Sequence, residues 1–486
     1  QRLSECRELT ERIPQLRAVA DTRHTTVRSG NRSWHEGRVI LSVVGLGVLL
    51  ATTACSFDRY YTDAEDALHT AGYFHALDHI AVYYPSGIAL NFPGYIVGFE
   101  ETERRRVVNG RDEVIVNKAA YQAGYTVERL LGTLRFHVPV ISQVLRYEGR
   151  AYGAGNCALY SLYHNHGDAI MDDCAGALPA TAFDDNLYES AFVRSWDAVD
   201  LLKARLSEEV GSGDYTHLLV AIMGLDTAQE ESIRNYKSII SSIKRNAGDA
   251  FRPLFVGITW PSFFANRWLD PLWEAAAYTP IADRADILGL SWLGVILNDV
   301  ISPLGDRIRI TIVAHSFGAR AATMSLCVGA ALQRNKGPAV LLDNNTKVHD
   351  FVALAPAFSL LRFSAKEHFF YENIYYRDYC PKINRFVFTS SSNDGAYAPV
   401  IWADMGGDHA VREKFCTTAQ RVTVSCVPAT REGLITGYDA SAKISYLDTS
   451  ALMRYGVPGT DGKAHSDIYR PEIGRLIWTV IKGPAK

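Results

Sequence analysis

From residue 217 onward the chain is punctuated by short, almost wholly apolar runs: His217–Met223, Pro253–Thr259, Ile308–Val313, His349–Leu354, Arg385–Thr389 and Lys443–Leu447. Strands that are apolar at every position, not at alternate ones, must be covered on both faces. Helical patterns fall between or beside them: one opening at Thr227-Ala228-Gln229-Glu230 and running to about Asn246, one over Ala319–Leu332, and a closing one over Arg470–Ile481. The first begins like a capping box, a hydroxyl residue followed three places later by Glu. Such alternation specifies an α/β protein with a mostly parallel central sheet and helices on both faces.

Composition narrows the possibilities further. Apolar residues make up 48% of the 486, enough to bury a large core, which excludes disorder as the main state. Lys and Arg number 50 against 53 acids. A chain so balanced has no global attraction for nucleic acid, and no basic block with interleaved aromatics supplies a local one.

The amino-terminal part reads differently. Residues 1–54 carry a net charge of +3. Val39–Ala54 is an uncharged, apolar run preceded by Arg32 and Arg38 and ended by Thr52, Thr53 and Ala54. Basic, apolar, then small is the layout of a secretory signal. Cys55 follows directly, which resembles a bacterial lipobox, although Thr52 stands where that motif usually has Leu. We therefore expect residues 1–54 to be a leader, Cys55 to be a lipid anchor, and the protein to be exported to a bacterial cell envelope, facing the periplasm or exterior. Residues 55–210 have mixed periodicity and no assignable role. They leave room for early strands, and Ser195–Val210 reads as a helix.

Cysteine usage fits export, and no Cys-x-x-Cys pair suggests a metal, so no metal or other cofactor is expected. Cys416 and Cys426 flank the strand-like run Arg421–Ser425, which suits a hairpin disulfide. Cys157 and Cys174 are a second candidate pair, while Cys327 on the predicted core helix reads as a buried thiol.

The chemistry centres on Ala314-His315-Ser316-Phe317-Gly318, entered by a strand and left by a helix. A nucleophile elbow needs this context, with small residues two places either side of the nucleophile so that the turn can be tight. A plain strand-turn-helix with a capping serine is the simpler alternative. Ser316 as a nucleophile needs a base and an orienting acid, which follow in the order Ser, acid, His in this kind of sheet. Asp394, just past Arg385–Thr389, is the acid, with Asp378, Asp404 and Asp408 as other candidates. His465, in the loop before the closing helix, is the base, with His409 as competitor; His315 reads as a support for the turn. Oxyanion donors are expected at the backbone N–H groups of Phe317 and Leu225.

Together these residues resemble the α/β-hydrolase superfamily, and within it bacterial lipoprotein hydrolases of uncharacterised substrate. The resemblance rests on the elbow, on Met223-Gly224-Leu225-Asp226-Thr227, on Trp260-Pro261-Ser262 and on His465-Ser466-Asp467, and covers about residues 214–482. Met223 stands where His is common before the Gly, and Ala314 where the elbow usually has Gly. It implies an α/β-hydrolase fold over 211–486 and a metal-free serine hydrolase. The expected substrate is a carboxylic ester, small or lipid-like. The insertion at about 260–305 holds Trp260, Phe263, Phe264, Trp268, Trp273, Tyr278 and Trp292, with an apolar helix over Ala285–Ile301. It would be a cap lining an apolar pocket, or simply an extra packed layer. The rival readings are a catalytically inactive binding or envelope-scaffold protein on the same fold, and an acyltransferase or peptidase using the same triad.

Overall fold

A computed structural model describes residues 90, 92–100, 139–150, 154–162, 171–179, 187–225, 227, 229–262, 281–330, 332, 347–364, 374–397, 404–418, 420–454 and 464–482. The expected leader, Cys55, Asp226 and the aromatic stretch 263–280 lie outside the described residues.

The described strands form one sheet of ten. In chain order they are β1 (Pro93–Glu100), β2 (Val140–Glu148), β3 (Cys157–Ser161), β4 (His217–Ile222), β5 (Pro253–Thr259), β6 (Arg309–His315), β7 (Val348–Leu354), β8 (Ile383–Ser390), β9 (Val424–Pro428) and β10 (Ile444–Asp448). Their order across the sheet is β3-β2-β1-β5-β4-β6-β7-β8-β10-β9. β1–β2 and β2–β3 pair antiparallel, and every other pairing is parallel. The sheet is therefore mixed but mostly parallel, and three of its strands come from the stretch before residue 210.

The sheet divides the core in two, by the two-residue period of its side chains. From β4, Leu218, Val220 and Ile222 enter one core while Leu219 and Ala221 enter the other; from β6, Ile310, Ile312 and Ala314 face the first and Val313 the second. Helices α1 (Leu187–Ser212), α3 (Ile281–Leu290), α4 (Trp292–Leu304) and α5 (Phe317–Cys327) cover the first face. Helices α2 (Gln229–Ala247) and α7 (Pro471–Ile481) cover the second with Ile233, Tyr236, Ile240, Leu476, Ile477 and Val480. A short helix, α6 (His409–Thr417), follows the side-chain cap of Asp408 on the Ala410 N–H at 2.9 Å.

Several expectations are corrected. The apolar stretch expected as one helix over Ala285–Ile301 is two helices meeting at 41° beside Ser291, with α4 passing through a π turn over Ile296–Ile301. These helices pack in the first core. Trp292 is fully buried, donates its indole N–H to the Pro139 carbonyl at 2.6 Å, and meets Trp196 edge to face. The described part of the insertion is thus a packed layer. Although α3 and α4 together have the length and composition of a bent membrane span, their apolar side chains are spent on this core; among the described residues no single helix is long and apolar enough to cross a membrane.

Cys327 is not a free thiol: it closes a disulfide with Cys380, whose Cα lies 4.7 Å away, tying the end of α5 to the turn before β8. Cys416 and Cys426 are bonded, but not across a hairpin, since Cys416 lies on α6 and Cys426 on β9, a parallel edge strand. Cys157 on β3 is bonded to Cys174. α5 ends at Cys327, short of the expected Leu332.

Candidate active site

The strand order switches direction where the chemistry is expected. From β4 the chain moves through α2 on one face to β5 on one side; β6 lies on the other side of β4 and leads into α5 on the opposite face. Loops leaving adjacent strands toward opposite faces open a cleft at their carboxyl ends. The loop after β4 holds Gly224 and Leu225, and that after β6 holds Ser316.

Ser316 joins β6 to α5 with φ 50° and ψ −124°, a conformation L residues seldom adopt. The surrounding structure must hold it there. The Ser316 N–H donates to the Leu354 carbonyl at 3.1 Å, and the Ser316 carbonyl accepts from Ala319 and Ala357, each at 3.1 Å. These bonds clamp the turn to the end of β7, where Ala355 also has a positive φ of 43°. Two glycines make room. A Cβ on Gly318 would lie 2.5 Å from the Ile222 carbonyl oxygen, and one on Gly224 would lie 2.6 Å from the Ser316 Cβ. The loop after β4 therefore passes directly against the serine.

That loop is fixed from below and behind. The Trp260 indole donates to the Met223 carbonyl at 2.9 Å, and the Met223 N–H donates to the Tyr236 hydroxyl at 3.3 Å, which in turn donates to the Ile258 carbonyl. Thr227 donates its hydroxyl to the Leu225 carbonyl at 3.2 Å, and the Ser262 hydroxyl donates to the Thr227 carbonyl at 3.3 Å. The Trp-Pro-Ser strand end thus holds the turn carrying the Leu225 amide. Thr227 is engaged with that turn through its side chain, where a cap on α2 was expected. Phe317 opens α5, so its amide belongs to the first turn, where N–H groups have no carbonyl within the helix.

The residues expected as acid and base meet. His465 Nδ1 lies 2.8 Å from Asp394 Oδ2, with the Asp394 side chain 1% exposed. Asp394 Oδ1 accepts from the Ala396 N–H at 3.0 Å, and the Ala464 N–H donates to the Asn393 carbonyl at 3.2 Å, so the two loops are joined through their backbones as well. Nδ1 faces the carboxylate, leaving Nε2 as the basic nitrogen. Tyr397 meets the His465 ring edge-on at 5.3 Å and donates its hydroxyl to the Ala355 carbonyl. Among the described residues no hydrogen bond joins the Ser316 hydroxyl to the His465 ring. Such contacts commonly tighten only around substrate.

The competing residues are occupied elsewhere. Asp404 pairs with Lys414 at 3.1 Å, Asp408 caps α6, Asp378 lies in a left-handed turn with φ 46°, and His409 sits 3.7 Å from Glu413 and 3.8 Å from Asp448. His315 has a role that sequence reasoning assigned only to the turn: its Nε2 lies 3.1 Å from the His465 carbonyl. Burial and the neighbouring His465 push its pKa down to about 3, so the ring is neutral. Tyr397 and Tyr236 also escaped the sequence reading, because a lone tyrosine outside any motif carries no local signal. Among the described residues, no group of three or more His, Cys, Asp or Glu side chains is arranged to hold a metal ion.

No family model and no curated protein matches this sequence.

Proposed function

We propose that the protein is a serine hydrolase of the α/β-hydrolase fold that cleaves a carboxylic ester. Ser316 Oγ attacks the ester carbonyl while His465 Nε2 takes its proton, and Asp394 holds the imidazole in the required tautomer. The amides of Phe317 and Leu225 stabilise the oxyanion. His465 then protonates the leaving alcohol, and a water activated by the same histidine releases the acid and restores the serine.

The observation that carries this reading is the combination of a strained, buried serine with a part-buried His–Asp pair at the same end of the sheet. A capping serine would need neither the unusual backbone nor the pair, and the Ser316 side chain makes no cap hydrogen bond to α5. The reversal of strand order between β5 and β6 also supports the fold assignment. The leader-like run and Cys55 support an exported, envelope-anchored protein.

The test is labelling of the purified protein with a fluorophosphonate beside Ser316→Ala. The expected result is stoichiometric labelling of the wild type alone. A folded wild type that takes no label would favour the inactive binding-protein reading instead.

A further inference from the structure

We propose that His315, the residue before the nucleophile, is a positioning residue for the general base: its imidazole N–H holds the backbone of His465, so the elbow that presents the serine also sets where the base stands. The inference rests on the serine-hydrolase reading above and assigns a part of that site which its triad logic does not require.

The geometry is direct. His315 is the last residue of β6, 5% exposed, and its Nε2 lies 3.1 Å from the His465 carbonyl oxygen. A carbonyl only accepts, so Nε2 carries the proton and the tautomer is fixed. The two rings lie 4.8 Å apart, centroid to centroid. Consecutive Cα atoms are about 3.8 Å apart, so His315 ties the base loop to a point one residue from the nucleophile. The elbow itself does not call for histidine here: its steric demand falls on the positions two places either side of the serine. An apolar side chain could fill the same volume. What only a donor supplies is a bond to that one carbonyl.

The rest of the loop explains why this bond matters. His465 is held at its ring by Asp394 and flanked by the Tyr397 ring, and its backbone neighbour Ala464 is bonded to Asn393. All three anchors lie on the loop after β8. His315 is the contact that refers the base to β6, the strand carrying the nucleophile. A base must stand within hydrogen-bond reach of the proton it removes, and a shift of about 1 Å costs on the order of 100-fold in rate.

The test compares the full chain with His315→Leu, which keeps bulk and removes the donor, and His315→Gln, whose amide nitrogen reaches about as far as Nε2. The readouts are the fluorophosphonate labelling rate, its pH profile, and the downfield proton NMR resonance of the His465 Nδ1–H. We expect His315→Leu to label about 10- to 100-fold more slowly, with the downfield resonance weakened and the pH profile changed as the pairing of His465 with Asp394 loosens. His315→Gln should recover most of the rate and the resonance. Labelling of His315→Leu at the wild-type rate would overturn the proposal. So would equal losses in both variants that track their melting temperatures, since that is what packing alone would give. Should His315→Leu fail to fold, His315→Asn, polar but too short to reach, takes its place with the same expected losses. A wild type that takes no label would instead overturn the serine-hydrolase reading; the downfield resonance would then decide His315 alone, its persistence in His315→Leu counting against the proposal.

Discussion

The two ends of the parallel sheet are built on opposite principles. At the amino end, charge is neutralised and left with nothing to do. Asp350 on β7 accepts from Arg309 at 2.8 Å and from Arg385 at 3.0 Å, and Arg385 also donates to the Val480 carbonyl of α7. His217 packs against the rings of Phe251 and Trp478, and His349 accepts the Ile310 N–H at 3.1 Å. At the carboxyl end, a strained serine directly follows His315, whose Nε2 lies 3.1 Å from the His465 carbonyl, and His465 Nδ1 in turn lies 2.8 Å from Asp394. Strain by itself does not separate the two. Asp378, Tyr379 and Cys380 form a left-handed turn ahead of β8, with φ of 46°, 53° and 56°. That turn is fastened by the Cys327–Cys380 disulfide, whereas the turn at Ser316 is held by backbone hydrogen bonds to Leu354, Ala319 and Ala357. What sets the Ser316 turn apart is the His465–Asp394 pair at the same end of the sheet.

This contrast can be broken in graded steps. Ser316→Ala should abolish phosphonate labelling, a loss of at least about 10³-fold, while thermal unfolding stays near the wild type. Asp394→Asn, which leaves the shape intact but permits the wrong tautomer of His465, should slow labelling by about 10³- to 10⁴-fold. Gly224→Ala would push a methyl onto the Ser316 Cβ and displace the turn bearing the Leu225 amide. A decrease of about 10²- to 10³-fold is expected in turnover of an ester probe, and wild-type rates would show that the loop does not serve the serine.

At the other end the same tests should read stability alone. Asp350→Asn leaves two arginines without their carboxylate, with an expected loss of about 3–5 kcal/mol in denaturant unfolding. Its labelling rate per folded molecule should match the wild type. The smallest effect concerns pH. Burial, with help from Arg309 and His349, pushes the His217 pKa from 6.5 down to about 4. The folded state then binds fewer protons than the unfolded chain across that window. Its contribution to stability is complete above about pH 6.5 and is lost as the pH falls toward 4. His217→Gln should flatten this acid slope in a melting-temperature series. Part of the slope should remain, since His315 is buried neutral too.

Much of the parallel half was legible because its strands are apolar at every position. Pro253–Thr259 falls at the bounds the sequence indicated, and the strands at 217, 309, 348, 383 and 444 lie within two residues of theirs. β1 and β2 were not legible. β1 carries Gly94 and Gly98, and β2 buries Ser142 and Gln143, so neither shows an apolar run or a clean alternation. Their glycines and polar groups suit neighbours far away in sequence: a Cβ on Gly98 would meet Gln143 of β2. The hairpin expected around Cys416 and Cys426 failed for a related reason. Proximity in sequence suggested a turn between strands, but Cys416 stands on α6 and β9 joins β10 in parallel.

The sequence by itself determined the period of its strands, the small residues that let a tight turn follow β6, and the order of serine, acid and histidine. These are local properties, written in residue size, polarity and spacing. Only the tertiary structure decided which of several aspartates meets His465, that Cys327 pairs with Cys380, that Trp260 and Ser262 brace the turn after β4, and that His315 reaches the His465 carbonyl. Each of those contacts closes a loop of many residues. Its energy depends on the relative placement of whole strands, which is set by the packing of the two cores and not by any local pattern.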